Sequence, residues 1–187
     1  MTSEFVHLHN HSDYSLLDGA QRIDQLVNTI DDLNMDSVAL TEHGNMFSVL
    51  PYYKQAKNAG IKPIIGCEIY VAVGSRFEKK TRSDGGWGNN HLILLAQNFT
   101  GYRNLMKLVT AGYLEGFYYR PRIDMELLRE YSEGLICMSA CLKGVVPEKM
   151  LKGDYEGAKK EALLFSEIFQ DRYYLEIQNH GIPEEEQ

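Results

Sequence analysis

Near its N-terminus the chain reads Phe5-Val6-His7-Leu8-His9-Asn10-His11. A histidine at every second position matches the alternation of a β-strand, in which residues i, i+2 and i+4 share one face. Imidazoles grouped at one end of a sheet are suitable ligands for zinc, manganese or iron. The stretch therefore predicts a strand at residues 5–9 that carries part of a metal site. The simpler alternative is a polar strand end without a metal.

The rest of the sequence alternates short β-branched runs with longer amphipathic segments. Such alternation is typical of β/α units on a largely parallel sheet or barrel. Further strands are predicted at residues 37–41, 62–73, 91–97, 134–139 and 172–178, and helices at 23–33, 47–59, 102–114, 125–129 and 155–169. The resulting six strands are fewer than the roughly eight that usually close a β/α barrel.

Composition limits the classes of protein to which the chain can belong. Its 187 residues, 44% of them hydrophobic, suffice for one sizeable core. No apolar run approaches the roughly 20 residues that cross a bilayer, and no signal-peptide pattern is present. The 3 cysteines form no disulfide framework, so we expect a cytoplasmic protein without a membrane partner. The net charge of -7 argues against a broad basic surface for duplex DNA.

The last residues resemble the first turn of a helix. Gly181-Ile182-Pro183 is followed by three glutamates, and proline and acidic residues are favoured at helix N-termini. We therefore expect residues 1–187 to form one domain that is incomplete at its C-terminus, with a last β/α unit further along the chain.

Further potential metal ligands come after the predicted strands, where β/α folds place their functional residues. They are Asp18 after the first strand, Glu42 and His43 after the second, Glu68 within the third, His91 at the start of the fourth, and Cys141 after the fifth. Asp18 in a turn or cap, Glu68 in a salt bridge and Cys141 in the core are the structural alternatives. Recurrence after successive strands favours one shared site.

Five segments carry a resemblance to a known family. They are His9-Asn10-His11-Ser12 through Leu17-Asp18-Gly19, Thr41-Glu42-His43-Gly44-Asn45-Met46, Gly60-Ile61-Lys62-Pro63-Ile64-Ile65-Gly66-Cys67-Glu68, Asn98-Phe99-Thr100-Gly101-Tyr102-Arg103-Asn104-Leu105-Met106-Lys107-Leu108 and Tyr173-Tyr174-Leu175-Glu176-Ile177. The first two are similar to motifs of the polymerase and histidinol phosphatase (PHP) superfamily. The other three resemble the PHP domains of bacterial replicative DNA polymerase III alpha subunits.

The resemblance implies an α/β fold, a distorted TIM-like barrel of about seven β/α units that here ends before its last strand. It also implies a site for up to three divalent ions, which could be zinc, manganese or magnesium. The implied ligands are His9, His11, Asp18, His43, Glu68, His91 and Cys141, with Glu68 able to bridge two ions.

Two residues depart from the family pattern, because His7 and Glu42 stand where relatives usually carry aspartate. Both are expected to orient neighbouring ligands rather than to bind a metal. The family also has an Asp-x-His ligand pair, which is expected beyond residue 187. His180 does not replace it, because no aspartate lies two residues before it.

The implied activity is metal-dependent phosphoester hydrolysis at a DNA 3′ end, which is 3′–5′ exonuclease proofreading. It would belong to a protein whose main activity is DNA-directed DNA synthesis. Glu68, His43 and Asp18 are the catalytic candidates. The implied partners are the primer 3′ end, polymerase domains of the same chain, a sliding clamp, a clamp loader and, where one exists, a separate exonuclease subunit. Residues 1–187 alone are expected to show weak activity or none.

Two groups of basic and aromatic residues are candidate contacts to a frayed single strand, since such sites combine phosphate contacts with stacking. The first is Arg76, Lys79, Lys80, Arg82 and Trp87, and the second is Tyr118, Tyr119, Arg120 and Arg122. Ordinary solvated loops are the alternative for both. Two other function classes also remain open: a metal-stabilised structural module of a polymerase, and a free-standing phosphoesterase.

Overall fold

A mixed sheet of six strands lies at the centre of the fold, seen in a computed structural model that describes residues 5–80 and 88–185. The strands are β1 (Ser37–Leu40), β2 (Lys62–Ala72), β3 (Asn89–Ala96), β4 (Arg122–Ile123), β5 (Leu135–Met138) and β6 (Tyr173–Tyr174). Their order is β1-β2-β3-β5-β6, with β4 also paired to β2. The pairs β1–β2, β2–β4 and β5–β6 are parallel, whereas β3 runs antiparallel to both β2 and β5.

In the described residues six α-helices accompany the sheet: α1 (Ile23–Asp32), α2 (Val49–Asn58), α3 (Phe99–Leu114), α4 (Met125–Glu130), α5 (Val145–Leu151) and α6 (Tyr155–Phe169). Short 3-10 turns follow at Gln170–Arg172 and Pro183–Glu185. Asn98, Asp124 and Asp154 precede α3, α4 and α6, and the side chain of each accepts a hydrogen bond from a backbone N–H in the first turn. Such N-caps satisfy donors that have no partner within the helix. None of the helices in the described residues is long and apolar enough to cross a membrane.

The alternation of side chains along β2 and β3 places hydrophobic core residues on one face and polar residues such as Glu68 and His91 on the other. Odd-numbered residues of β2, such as Ile69, and even-numbered residues of β3, such as Leu92, pack with α3 and α6 in the main core. Ile93 of β3 belongs to a different cluster and is paired in register with Glu68 of β2. Because successive side chains point to opposite faces, Glu68 and His91 lie on the face directed away from this core.

The first predicted strand is wrong. Residues 5–9 contain no regular strand and run as extended chain beside β1. Ala39 N–H donates to the His7 carbonyl at 2.8 Å, and Thr41 N–H donates to the Asn10 carbonyl at 2.8 Å. Between these bonds one segment advances by three residues and the other by two, so a regular ladder cannot continue. The Asn10 amide group instead donates to the Ala39 carbonyl at 3.1 Å.

The expectation of a largely parallel sheet is confirmed only in part, because three strand pairs are parallel but β3 is antiparallel to both of its neighbours. A parallel connection needs a crossover, usually a helix, and the described residues between β2 and β3 contain none. The short elements β4 and α5 were not predicted, and the strand predicted at residues 172–178 is reduced to β6. Within the described residues β1 and β6 form the two ends of an open sheet, so these residues do not form a closed barrel.

Candidate metal centre

The carboxylate of Glu68 is the centre of a cluster of imidazoles. Glu68 is 1% exposed, and four histidines contact its two oxygens. His43 Nδ1 and His91 Nδ1 lie 2.6 and 2.8 Å from Oε1, while His9 Nε2 and His11 Nε2 lie 3.0 and 3.7 Å from Oε2. Each oxygen therefore faces a different pair of imidazoles.

Backbone pairing beyond the end of β1 brings His43 to Glu68. Glu68 N–H donates to the Glu42 carbonyl at 3.0 Å, and Gly44 N–H donates to the Glu68 carbonyl at 2.7 Å. Gly44 has φ +63°, and a Cβ there would lie 2.8 Å from the rings of Tyr70 and Pro121. Glycine is thus required next to His43 both by the backbone conformation and by the close approach of these rings.

The loop after His11 is held by the buried carboxylate of Glu42. Glu42 accepts hydrogen bonds from Ser12 N–H at 3.1 Å and from the hydroxyls of Ser12 and Ser15. Ser15 Oγ also accepts from His43 N–H at 3.0 Å. This loop carries Asp18, whose Oδ2 lies 2.9 Å from His43 Nε2. Glu42 therefore lies behind the cluster and fixes the positions of Asp18 and His43.

Cys141 reaches the cluster from the loop after β5. Its Sγ lies 3.7 Å from His91 Nδ1. The start of β3 is held against the same loop, because His91 N–H donates to the Lys143 carbonyl at 3.0 Å. The structure thus brings together all seven residues that the family resemblance implies as ligands: His9, His11, Asp18, His43, Glu68, His91 and Cys141.

Two residues of the cluster were missed from the sequence. Glu176 Oε1 lies 2.7 Å from His9 Nδ1, and Gln178 Nε2 donates to Glu176 Oε1 at 2.6 Å. Glu176 N–H also donates to Ser139 Oγ at 2.8 Å, which anchors this segment to the end of β5. Two polar residues at i and i+2 near the end of a predicted strand were the available sign of a functional position.

The acidic neighbours change the proton affinity of the imidazoles in the metal-free protein. Burial alone would lower the pKa of His9, but hydrogen bonds to Glu176 and Glu68 outweigh it and raise that pKa to about 9. Burial would also lower the pKa of His43, but its hydrogen bonds to Glu68 and Asp18 and the charges of these two carboxylates together raise it. Burial lowers the pKa of His11, and the neighbouring His43 lowers it further.

The same contacts determine the protonation of the other ligands. Burial opposes ionisation of Glu68, but hydrogen bonds from His43, His9 and His91 hold the pKa of its carboxyl far below the usual range. These contacts favour the carboxylate form of Glu68. Burial raises the pKa of the Cys141 thiol, so its thiolate needs a cation to stabilise it.

The donor atoms fit a metal centre. His9, His11 and Glu68 offer ligand atoms within 4.8 Å of one another, and so do Glu68, His91 and Cys141, so Glu68 is common to both groups. His11 Nδ1 and Glu176 Oε2 are buried without a hydrogen-bond partner. Buried polar atoms normally have partners, and a metal ion would supply one. Imidazole, carboxylate and thiolate together suit zinc or another transition metal.

Two histidines lie outside the cluster. His7 is exposed, and its ring packs edge-on against Phe5 at a centroid distance of 4.9 Å. Its carbonyl, rather than its imidazole, is the group that pairs with β1. The expected role of His7 in orienting a ligand therefore has no contact to support it in the described part of the chain. His180 is also remote, with Nδ1 2.6 Å from Glu185 Oε1.

The candidate DNA contacts differ in their surroundings. Arg76 forms ion pairs with Glu115 at 2.7 Å and with Asp124 at 3.0 Å, so its guanidinium group stabilises the fold. Lys79 and Lys80 are exposed. The remaining two of this group, Arg82 and Trp87, lie outside the described residues.

The second group also contains an arginine with a structural role. Arg122 is 1% exposed and donates to the carbonyls of Gly116, Arg76 and Glu78 at 3.0, 3.2 and 2.8 Å, so it is a structural residue rather than a DNA contact. Tyr118 packs under it, with the guanidinium carbon 5.1 Å from the ring centroid.

An open pocket of about 700 Å³ adjoins the cluster. Asp18, His43 and His91 contribute to its wall on the side of the cluster, and Arg120 and Lys143 are its basic residues. Lys143, like Glu176 and Gln178, was not predicted from the sequence. The pocket thus has three of the predicted ligands and two cations in its lining.

Comparisons with known proteins show the family to which the chain is related. The PHP domain family matches residues 7–180. DNA polymerase III subunit alpha from Borreliella burgdorferi is 54% identical over 184 residues, which cover 98% of this chain and 16% of that protein. The subunits of the same name from Aquifex aeolicus and Thermus aquaticus are 47% and 45% identical. The chain thus spans about one sixth of the length of these relatives.

Solved structures give a weaker likeness. A putative metal-dependent phosphoesterase from Bifidobacterium adolescentis is 14% identical, with a TM-score of 0.40 over 57% of this chain and 32% of the other. A two-domain protein from Bacteroides vulgatus with a predicted PHP-like phosphoesterase is 17% identical, with a TM-score of 0.41 over 71% of this chain and 33% of the other. These values are too low to support an argument about function, whereas the sequence match over residues 7–180 is sufficient to show that the chain belongs to the PHP domain family.

Proposed function

We propose that residues 1–187 are the PHP domain of a bacterial DNA polymerase III alpha subunit and hydrolyse phosphodiester bonds at DNA 3′ ends. The observation that carries this proposal is the convergence of four imidazoles on the buried carboxylate of Glu68. Burying so many polar groups is unfavourable in free energy unless they have partners, so packing alone does not explain this arrangement. Up to three divalent ions would be held by His9, His11, Asp18, His43, Glu68, His91 and Cys141, with Glu176 as a further ligand candidate.

Different residues of the chain have different roles in the proposed hydrolysis. Bound divalent ions supply charge stabilisation on the phosphate and a water of lowered pKa. Glu68 holds the two halves of the centre at a fixed separation, because its two oxygens face different imidazole pairs. Asp18, with a side chain 61% exposed, and His43 line the pocket, which supports a role for them in contacting the scissile phosphate. Glu42 keeps both in position through Ser15.

The remaining expectations follow from the relatives of the chain. We propose that polymerase domains, a sliding clamp, a clamp loader and, where present, a separate exonuclease subunit are the partners, in the cytoplasm. We also propose that a further β/α unit with an Asp-x-His pair closes the open sheet into the barrel of about seven units.

A nuclease assay on the full-length protein that contains this chain tests the proposal. The substrate is a primer labelled at its 5′ end, incubated with Mn²⁺ or Zn²⁺ and without nucleotides or pyrophosphate. We expect stepwise shortening from the 3′ end, which His43→Ala reduces by at least about 100-fold because it removes a ligand that contacts both Glu68 and Asp18. Lys159→Ala, at an exposed position of α6, is the matched control and should leave the rate unchanged.

The main alternative is a metal-stabilised structural module without turnover. It is supported by the burial of Glu68, since a metal bound there would stabilise the fold whether or not it catalysed a reaction. Under this alternative His43→Ala lowers the melting temperature and the metal content, while neither the wild-type protein nor the control shortens the primer. A free-standing phosphoesterase would instead hydrolyse small phosphate esters and spare the primer.

A further inference from the structure

The pocket beside the metal centre has an aromatic wall that the proposed hydrolysis does not use. Phe47 and Tyr113 line it with ring centroids 6.3 Å apart, and they are 66% and 38% exposed. Leu16 and Leu17, 90% and 81% exposed, line the same pocket from the loop that carries Asp18. Large exposed apolar side chains that are grouped around a functional pocket indicate a binding surface.

Two cations from different loops line this pocket as well. The guanidinium carbon of Arg120, in the loop before β4, lies 5.6 Å from the ring centroid of Tyr70. Lys143, in the loop after β5, is exposed, and its ammonium group forms no ion pair with another residue of the described chain. In a chain of net charge -7, two cations beside the metal centre concentrate positive charge where an anionic substrate would enter.

We propose that this pocket binds the unpaired 3′-terminal nucleotides of a single DNA strand. Phe47 and Tyr113 stack on a base, and Arg120 and Lys143 neutralise backbone phosphates. Stacking on exposed rings together with contacts to phosphates is how proteins bind single strands without reading their sequence. This inference rests on the proposed function, because it takes a phosphodiester of DNA to be the substrate.

The structure favours a single strand over a duplex for two reasons. A paired base is already stacked on its neighbours, so it could reach the aromatic wall only after fraying. A duplex would also present many phosphates to a surface that offers two cations and is acidic overall. The pocket therefore selects ends that are frayed, as a mismatched primer end is.

Crosslinking on the full-length, metal-loaded protein tests the inference without requiring hydrolysis. The probe is an oligothymidine of about ten nucleotides with a photoreactive thiothymidine at its 3′ end and a phosphorothioate last linkage. We expect the crosslink to map to the segments that carry Phe47 and Tyr113. The double substitution Phe47→Ala and Tyr113→Ala should raise the probe concentration at which this crosslink is half-saturated about tenfold. This is the loss of affinity expected for one stacked base. Phe99→Ala, at an exposed phenylalanine outside the pocket, is the control.

A salt series tests the cations. Lys143→Gln should lower the affinity for the probe and reduce the slope of log affinity against log salt by about 0.7, the value for one phosphate contact to a single strand. Lys159→Gln, on exposed α6, should leave the slope unchanged. Metal content and circular dichroism of each variant establish that the fold and the metal centre are intact.

Each outcome separates the inference from the proposed function. Crosslinking at the pocket that the substitutions weaken supports the inference, even if no protein hydrolyses DNA. Suppose that the double variant still hydrolyses primers, and that its crosslinking and its preference for frayed over paired ends are unchanged. This result overturns the inference and leaves the proposed function standing. Equal crosslinking by a blunt duplex end would also overturn it.

Discussion

Protons and metal ions compete for His9, and this competition predicts how metal affinity varies with pH. A metal binds the neutral imidazole. In the metal-free protein His9 keeps its proton up to pH about 9, because Glu176 and Glu68 accept hydrogen bonds from its two nitrogens. Metal binding below that pH must displace the proton. The affinity of a metal at His9 should therefore rise about tenfold per pH unit toward pH 9, or about 50-fold from pH 7 to pH 9, and level off above.

The same proton has the opposite effect on the metal-free fold. The pKa of His9 is about 9 in the folded chain and 6.5 without its partners. At 1.36 kcal/mol per unit, this difference corresponds to about 3 kcal/mol of stability. The contribution is fully present below pH 6.5 and is lost as the pH rises through 9. The metal-free protein should thus become less stable over the same interval in which metal affinity increases.

Two measurements on the same preparations test this reasoning. Competition with a chromogenic chelator, corrected for the protonation of the chelator, gives Zn²⁺ affinity at each pH. Urea unfolding in excess chelator gives the stability of the metal-free form. His9→Gln should remove one unit from the slope of log affinity against pH and flatten the stability profile. Glu176→Gln should keep the His9 imidazole. The rise in Zn²⁺ affinity and the loss of stability of the metal-free form should both move to lower pH.

Two histidines outside the measured equilibrium at His9 serve to isolate its contribution. His180→Gln removes an exposed imidazole outside the cluster and should alter neither profile. The raised pKa of His43 adds to the slope in every protein except a His43 variant, so the comparison between variants isolates His9. If His9→Gln keeps the wild-type slope, the displaced proton is not on His9 and the argument fails.

Three further predictions concern residues around the cluster. Ser15→Ala removes bonds to Glu42 and His43, so urea unfolding should show a loss of about 2 kcal/mol together with lower metal retention; unchanged retention would mean that Ser15 does not position His43. Arg122→Met should cost about 3 kcal/mol in the same measurement without changing the metal content or the affinity for single-stranded DNA, and a stable variant with weakened DNA binding would contradict its structural assignment. Gly44→Ala, at φ +63° and in contact with two rings, should cost about 1–3 kcal/mol and reduce metal content measured by mass spectrometry, whereas wild-type content would show that the backbone tolerates the change.

Local patterns predicted much of the secondary structure. The helices expected at residues 23–33, 102–114 and 155–169 correspond to α1, α3 and α6, and strands expected at 37–41 and 62–73 correspond to β1 and β2. These elements depend on the period of apolar residues and, for α3 and α6, on a capping side chain, which are properties of neighbouring residues. The direction of β3 could not be predicted in this way, because its antiparallel partners lie in β2 and β5.

The sequence by itself determined the chemistry of the site: imidazoles, carboxylates and a thiol placed where strands end, in a pattern that belongs to the PHP domain family. Only the tertiary structure decided which of these groups meet. It removed His7 from the cluster, added Glu176 and placed Lys143 in the pocket. The physical reason is that side-chain alternation fixes only which residues share a face of a strand. Which faces converge depends on strand register and on backbone pairing between distant segments, such as the bond from Gly44 N–H to the Glu68 carbonyl.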